Sequence, residues 1–300
     1  MSLSERKIQV NSILYGNEPL DIERTVDCLD RAADLAIADG LAGSVTLAYG
    51  DCSPKPVIDQ LTLDRMRNNS KALAGIEYIW FDENLGSAAG HNRLLSKTES
   101  DFVLIMNPDV RLAPDCLTEL IRAMSDESVG MVEAKQLPIE HPKAFKKNGE
   151  TSWAATACAL FPTELISKLD GFDSESFFLY CDDVDISWRT RLEGKKVIYM
   201  PSAVVFHDKR LGKGGGWDIG DAERYYSAEA ALLLAYKYSR EDVLAHIVAD
   251  FKVAKDPVFA RALAEFERRK ELGLLPEQLD KDRKVGEFVD GAYAIHRFQL

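Results

Sequence analysis

The sequence is poor in cysteine and has no long hydrophobic run. Its five cysteines are Cys28, Cys52, Cys116, Cys158 and Cys181. They are widely spaced and form no C-x-x-C pair, which argues against a disulfide framework and a zinc site and suits a reducing compartment. The longest apolar stretch, 228–238, is shorter than the roughly 20 residues that span a bilayer. Residues 1–12 lack the apolar core of a signal peptide. We therefore expect a cytoplasmic protein with at most peripheral contact at the inner face of the membrane.

Positive charge is also scarce. Lysine and arginine number 37 against 49 aspartate and glutamate residues, a net charge of −12 with histidine neutral. Such a chain repels nucleic acid and anionic lipid on average, which argues against a nucleic-acid binder. The excess acids either form a solvated surface or are partly gathered around a metal cation, and charge alone does not decide between the two.

The 300 residues, 46% hydrophobic and 29% charged, are typical of a soluble globular chain of one large α/β domain with an appendage, or of two domains. Short apolar segments at 8–14, 45–49, 76–81 and 102–106 alternate with helical periodicity and predict strands. This alternation favours a mostly parallel sheet covered by helices, in which ligands bind beyond the carboxyl ends of the strands.

The second half of the chain is less regular. Two short strands are predicted at 197–200 and 203–206, separated by Pro201, and helical sequence follows from about residue 222. The last sixty residues, from 241, are predicted to be a helical appendage, for which packing or self-association is the simplest interpretation.

Two acidic motifs can carry chemistry. Asn107-Pro108-Asp109 ends the apolar strand 102–106, where a carboxylate can bind Mg²⁺ or a similar cation; the alternative is an ordinary β-turn. Asp182, Asp183 and Asp185 follow an aromatic run, a setting that suits a general base. The alternative for these residues is a helix N-terminus, and both interpretations can hold together.

A histidine and a basic, glycine-rich loop follow the last predicted strand. His207 could complete a metal site begun by Asp109, or be an ordinary hydrogen-bonded residue at a strand end. The loop 209–216 contains Lys209, Arg210 and Lys213 among four glycines. Such a loop could close over a diphosphate, although it lacks the spacing of a P-loop.

In this order, the motifs resemble family 2 glycosyltransferases, especially the rhamnosyltransferase-like branch. The matching blocks are Leu14-Tyr15-Gly16-Asn17, Gly50-Asp51-Cys52-Ser53-Pro54, Asn84-Leu85-Gly86, Gly90-His91-Asn92, 104–110, 171–189 and Val205-Phe206-His207. The most specific is 171–189, GFDSESFFLYCDDVDISWR. The resemblance covers about residues 8–240.

The resemblance implies a GT-A fold. Residues 1–240 would form the glycosyltransferase domain, with a nucleotide-sugar-binding half at about 1–110 and an acceptor-binding, catalytic half at about 111–240. Residues 241–300 would be a helical C-terminal extension through which the chain could form a homo-oligomer.

The resemblance also implies roles for individual residues. Asp183 would be the catalytic base, with Asp182 supporting it, and Asp109 and His207 would bind Mn²⁺ or Mg²⁺. The expected nucleotide and donor-sugar contacts are Tyr15, Asn17, Asp51, Asn84, Gly86, Asn92, Asn107 and Lys213. Among these, Tyr15 and Asn17 would line the nucleoside pocket and Asp51 would contact a pyrimidine base. Trp153 would meet the acceptor.

The implied activity is inverting, metal-dependent sugar transfer from a pyrimidine nucleoside diphosphate sugar, dTDP-rhamnose or a UDP-hexose, to a hydroxyl of a glycan or lipid-linked glycan. The chain departs from the family pattern at four places. Asn107 takes the first acidic position of the D-x-D motif, Gly50 replaces an acid, Asp182 replaces Glu, and Glu229-Ala230 replaces Arg-Asn.

These departures keep a second interpretation open, a non-catalytic module derived from such an enzyme that binds a nucleotide-sugar or a partner protein. A nucleotidyltransferase ranks third, because no glycine-rich N-terminal loop with a basic residue is present for a triphosphate.

Overall fold

The structure, a computed structural model, describes residues 6–209 and 220–289. The strands are β1 (Lys7–Leu14), β2 (Ser44–Asp51), β3 (Leu73–Trp80), β4 (Phe102–Met106), β5 (Val110–Leu112), β6 (Val129–Leu137), β7 (Cys158–Pro162) and β8 (Lys196–His207). The helices are α1 (Pro19–Ala38), α2 (Gln60–Asn69), α3 (Gly86–Leu95), α4 (Cys116–Ala123), α5 (Thr163–Lys168), α6 (Asp182–Leu192), α7 (Asp221–Lys237), α8 (Glu241–Ala254) and α9 (Pro257–Glu271).

The described strands form one mixed sheet in the order β3-β2-β1-β4-β7-β6-β8-β5. Strands β1 to β4 pair in parallel, as do β6 and β8. Strand β7 runs antiparallel to both β4 and β6, and β5 runs antiparallel to β8. The predicted α/β class with flanking helices is confirmed, and the first four predicted strands coincide with β1 to β4.

The predicted break at Pro201 is wrong, because β8 continues through it as one strand of 12 residues. Its register with β6 jumps from Ala134 opposite Met200 to Lys135 opposite Val204. Residues 201–203 therefore form a bulge. A proline is tolerated there because its missing N–H costs the sheet no ladder hydrogen bond.

The main core lies between the sheet and helices α1 and α4. Strand residues such as Val10 and Leu104 pack there with Leu29 of α1 and Leu120 of α4. All five residues of β4 are buried, as expected for a central strand covered on both faces. This packing places the carboxyl ends of β1, β2 and β4 at one edge of the sheet.

The C-terminal helices pack against α6, and the predicted helical extension is present. The Trp188 ring of α6 meets the Tyr238 ring edge-on, with centroids 4.6 Å apart, and lies 5.2 Å from the Phe288 ring. Phe266 of α9 belongs to the same buried apolar cluster. The domain boundary near residue 240 stays a prediction. Each helix in the described ranges is too short or too polar to cross a bilayer.

Candidate active site

Two neighbouring strands bring Asp109 and His207 together. His207, the last residue of β8, lies opposite Val110 of β5, so Asp109 comes directly beside it. The backbone N–H of Asp208 donates to the Asp109 carbonyl oxygen at 3.0 Å. His207 Nε2 lies 3.3 Å from Asp109 Oδ1. The antiparallel pairing thus joins two residues that are distant in the sequence.

These side chains line a cavity of about 270 Å³. The predicted site residues on its wall are Asn107, Asp109, Asp182, Asp183 and His207. Ser87, Gln136, His141, Tyr180, Lys209 and Glu223 also line it. Sequence reasoning did not single out Gln136, His141 or Glu223 as site residues, because isolated polar residues carry no motif signal until the fold gathers them.

The aspartate pair is presented by the first turn of α6. The two residues before the pair, Tyr180 and Cys181, have φ of 69° and 58°, a left-handed conformation that is uncommon outside glycine. Asp182 and Asp183 are each only 5% exposed. The positive end of the helix dipole favours carboxylates there. The two aspartates therefore begin a helix and also line the cavity, and the role of general base stays a prediction.

Two loops predicted to bind the nucleoside are joined to each other. The Gly16 N–H donates to Ser53 Oγ at 2.8 Å. The Tyr15 N–H donates to Asn17 Oδ1 at 2.9 Å, and the Tyr15 side chain is 56% exposed. The exposed Tyr15 ring therefore stands beside the loop that follows β2.

Asp51 holds that loop from inside the protein. Its carboxylate is fully buried and accepts hydrogen bonds from the Ser53 and Val57 N–H groups and from the Tyr78 hydroxyl. Burial and this bond to a carboxylate raise the pKa of Tyr78. Asp51 thus organises the loop after β2 through hydrogen bonds within the protein, and its predicted contact with a base stays a prediction.

Asn84 and Gly86 lie where α3 meets the aromatic run before α6. Asn84 Oδ1 accepts from the Gly86 N–H at 3.3 Å, and the Ser87 N–H donates to the Phe178 carbonyl oxygen at 3.1 Å. Gly86 has φ +69°, and a Cβ there would lie 2.4 Å from the Phe178 carbonyl oxygen. This junction ties the two halves of the predicted domain together beside the cavity.

Asn92 and Trp153 are predicted contact residues that do not line this cavity. Asn92 instead uses its carboxamide to pair with both backbone groups of Phe172, at 2.7 and 2.8 Å. Trp153 is 1% exposed, with Lys143 Nζ 4.2 Å above its ring, so the ring offers no surface to an acceptor. Lys213 lies outside the described residues.

Asp109 and His207 suit a divalent cation. Mn²⁺ accepts carboxylate and imidazole together, and Mg²⁺ takes one or two carboxylates and completes its shell with phosphate oxygens and water. Within the described ranges, no group of three or more His, Cys, Asp and Glu side chains could hold a metal alone. A two-ligand site of this kind would need diphosphate oxygens for tight binding.

The chain is similar to proteins of known family. Residues 57–184 match the model of Glycosyl transferase family 2. Over this segment the chain is similar to family 2 glycosyltransferases, as predicted. Its curated relatives include rhamnosyltransferases, in agreement with the predicted resemblance to that branch.

Two such relatives are similar over part of their length. The N-acetylglucosaminyl-diphospho-decaprenol L-rhamnosyltransferase of Mycobacterium tuberculosis (strain H37Rv) is 25% identical over 152 residues, which cover 38% of this chain and 49% of that protein. The rhamnosyltransferase WbbL of Escherichia coli (strain K12) is 24% identical over 202 residues, 53% of this chain and 76% of that protein. The chain thus spans about half the length of the mycobacterial relative.

A solved structure shares the fold. The mannosyltransferase PcManGT from Pyrobaculum calidifontis, determined with GDP-Man and Mn²⁺, superposes with a TM-score of 0.57 at 18% identity, over 90% of this chain and 81% of that chain. The predicted GT-A fold of the family 2 domain is confirmed.

Proposed function

We propose that the chain is an inverting glycosyltransferase that moves a sugar from a pyrimidine nucleoside diphosphate sugar to a hydroxyl of a glycan or lipid-linked glycan. The observation that carries the proposal is the meeting of Asp109, His207 and the Asp182–Asp183 pair at one cavity. The names of the rhamnosyltransferase relatives favour a rhamnosyl donor. We propose dTDP-rhamnose, with a UDP-hexose as the alternative.

Asp183 is the proposed base. It takes the proton of the acceptor hydroxyl as that oxygen attacks the anomeric carbon, and the bond from this carbon to the diphosphate oxygen breaks. Asp182 holds negative charge beside it. When bound by Asp109 and His207, Mn²⁺ or Mg²⁺ supplies Lewis-acid stabilisation of the departing diphosphate. The buried Lys209 at the cavity wall adds positive charge where the diphosphate would depart.

The substitution Asp183→Asn tests the base. The amide keeps the size of the side chain but accepts no proton, so we expect turnover to fall about 10²- to 10⁴-fold with nucleotide binding unchanged. Turnover is measured by release of the nucleoside diphosphate, and binding by calorimetry. Asp64→Asn, at an exposed position of α2, is the matched control and should behave as wild type. Turnover retained by Asp183→Asn would remove Asp183 as the base.

A thermal-shift panel with UDP, dTDP and GDP, each with and without Mn²⁺, tests the metal site. We expect UDP or dTDP to raise the Tm further when Mn²⁺ is present, because a cation held by Asp109 and His207 would add favourable charge for the diphosphate. The substitutions Asp109→Ala and His207→Ala should each remove the part of the Tm increase that depends on Mn²⁺. The metal assignment is wrong if no nucleotide stabilises the fold in a metal-dependent way.

The second candidate is a non-catalytic nucleotide-sugar-binding module. It is favoured by Asn107, which lines the cavity where the family pattern has an acid and so removes one charge from the metal site. Slow hydrolysis of a donor with Mn²⁺ would identify an enzyme. Inertness toward a panel of donors would identify the module.

A further inference from the structure

His207 is flanked by residues from both neighbouring strands. Strand β8 lies between β6 and β5, so Gln136 of β6 approaches the imidazole from the side opposite Asp109. Gln136 Oε1 lies 2.8 Å from His207 Nδ1, and His207 Nε2 lies 3.3 Å from Asp109 Oδ1. A carboxamide oxygen only accepts hydrogen bonds, so His207 Nδ1 must carry the hydrogen. In the neutral ring, Nε2 then presents its lone pair toward Asp109.

The orientation of the Gln136 amide is set by a second buried residue. Gln136 Nε2 lies 3.4 Å from Glu133 Oε1, and the Gln136 backbone N–H donates to Glu140 Oε2 at 2.8 Å. Turning the amide over would place two oxygens against each other at Glu133 and a donor against His207 Nδ1. Because Gln136 and Glu133 are both fully buried, no bulk water could compensate for that mismatch.

Lys143 is the last residue in this row of buried polar contacts, which starts at His207. Its ammonium, 2% exposed, forms an ion pair with Glu133 Oε2. Burial raises the pKa of Glu133 to about 7, and it does so although the neighbouring Lys143 ammonium lowers that pKa. The ion pair with Lys143 keeps Glu133 a carboxylate, which accepts from the Gln136 amide. The contacts run without a break from Lys143 through Glu133 and Gln136 to His207.

We propose that Gln136 is a positioning residue that holds His207 in the Nδ1–H tautomer, with Nε2 directed to bind a divalent cation beside Asp109. Partners of this kind behind a metal-binding histidine fix the ring and its tautomer. The inference rests on the proposed function for the role of His207 as a metal ligand. The tautomer can be measured on the metal-free protein, where Gln136 Oε1 and Asp109 Oδ1 compete for the ring hydrogen.

The first test is the tautomer of His207 without metal at pH 8, read from two-bond ¹H–¹⁵N correlations of the imidazole nitrogens. His207→Asn identifies the signals. We expect the Nδ1–H form in the wild type and its loss in Gln136→Leu. The double variant Glu133→Gln with Gln136→Glu exchanges amide and carboxylate, again places an acceptor at Nδ1, and should keep the Nδ1–H form. An Nε2–H ring in the wild type, or an unchanged ring in Gln136→Leu, would overturn the proposal.

The second test is Mn²⁺ affinity in the presence of UDP or dTDP, measured by the EPR signal of free Mn²⁺. We expect Gln136→Leu to bind Mn²⁺ about 10- to 100-fold more weakly, and the double variant to recover most of the affinity. Gln136→Met, unbranched and of similar length, serves if Gln136→Leu does not fold, with the same expected loss. Thr118→Val, which removes a buried hydroxyl from α4 away from the cavity, is the control and should match the wild type.

The outcomes separate the two proposals. Unchanged Mn²⁺ affinity in a folded Gln136→Leu or Gln136→Met variant would overturn the role of Gln136. If the wild type binds no Mn²⁺ with either nucleotide, the metal site of the proposed function is wrong, and the tautomer measurement still decides whether Gln136 holds His207.

Discussion

At the residue scale, two departures from the family pattern have packing reasons. A Cβ at Gly50 would lie 2.5 Å from the Phe81 ring, so the close approach of that ring excludes an acidic side chain. Glu229 is buried in α7, which raises its pKa, and Arg269 of α9 lies 3.6 Å from its carboxylate. Glu229 therefore faces the C-terminal helix. Both substitutions reflect how this chain packs, and neither removes a group from the cavity wall.

Gly86 provides a residue-scale prediction. In Gly86→Ala, the alanine must adopt a positive φ and its Cβ would clash with the Phe178 carbonyl oxygen. In Gly40→Ala, the alanine must also adopt a positive φ, but its Cβ would have no atom within 4 Å. We expect Gly40→Ala to lose about 1–2 kcal/mol of unfolding free energy. Gly86→Ala should lose about 1–3 kcal/mol more, from crowding. Urea unfolding measures the loss of unfolding free energy in both variants. Equal losses would mean that the backbone at Phe178 moves away from the new Cβ without an energetic cost.

At the element scale, α3 connects the two halves of the domain. Its first turn meets the carbonyl of Phe178, and further along Asn92 clamps the backbone of Phe172. His91 lies between these contacts, 3% exposed, with its ring 5.7 Å from the Phe172 ring. The block 90–92 that resembles the family is thus used, in this structure, to hold α3 against the loop that leads to α6.

His91 predicts a pH dependence of stability. Burial lowers its pKa to about 3, so below about pH 6.5 the unfolded chain takes up a proton that the folded chain excludes. Stability is then lost as the pH falls. Urea unfolding at pH 7.5 and 5.5 should show the wild type losing about 1.4 kcal/mol more than His91→Leu. Equal losses in the two proteins would show that His91 is protonated in the folded state.

At the scale of the whole molecule, one apolar cluster joins the site to the C-terminal helices. Trp188 of α6, Leu233 of α7 and Phe266 of α9 all belong to it. The Tyr238 hydroxyl, fully buried, donates to Asp185 Oδ1 at 3.0 Å, and Asp185 lies in the same turn of α6 as Asp182 and Asp183. We therefore expect the C-terminal helices to hold α6, which carries the proposed base, in place.

Phe266→Ala tests this coupling. The ring is 4% exposed, and its removal should cost about 3–5 kcal/mol. We expect one cooperative transition in which turnover and helix content are lost at the same urea concentration. Val253→Ala, at a position of α8 that is 79% exposed, should change stability by at most about 0.5 kcal/mol. Loss of the C-terminal helices before the loss of turnover would show that they do not support the site.

Local periodicity was enough to predict β1 to β4 and the α/β class, because short apolar runs and turn residues act within a few positions of the chain. The GT-A fold was expected only from the resemblance of the motifs to family 2 glycosyltransferases. Asn107, Asp109, Asp182, Asp183 and His207 could be singled out because each stands at the end of a strand or the start of a helix. Those signals are local.

Tertiary structure decided which of these residues meet and which do not. The pairing of β8 between β5 and β6 gathers Asp109, His207 and Gln136, and only the packing shows that Asp51 and Asn92 use their polar groups inside the protein. The physical reason is that burial and hydrogen-bond satisfaction depend on partners far along the chain. The sequence specifies the residue types, but the pairing of the strands in the sheet determines which residues become partners.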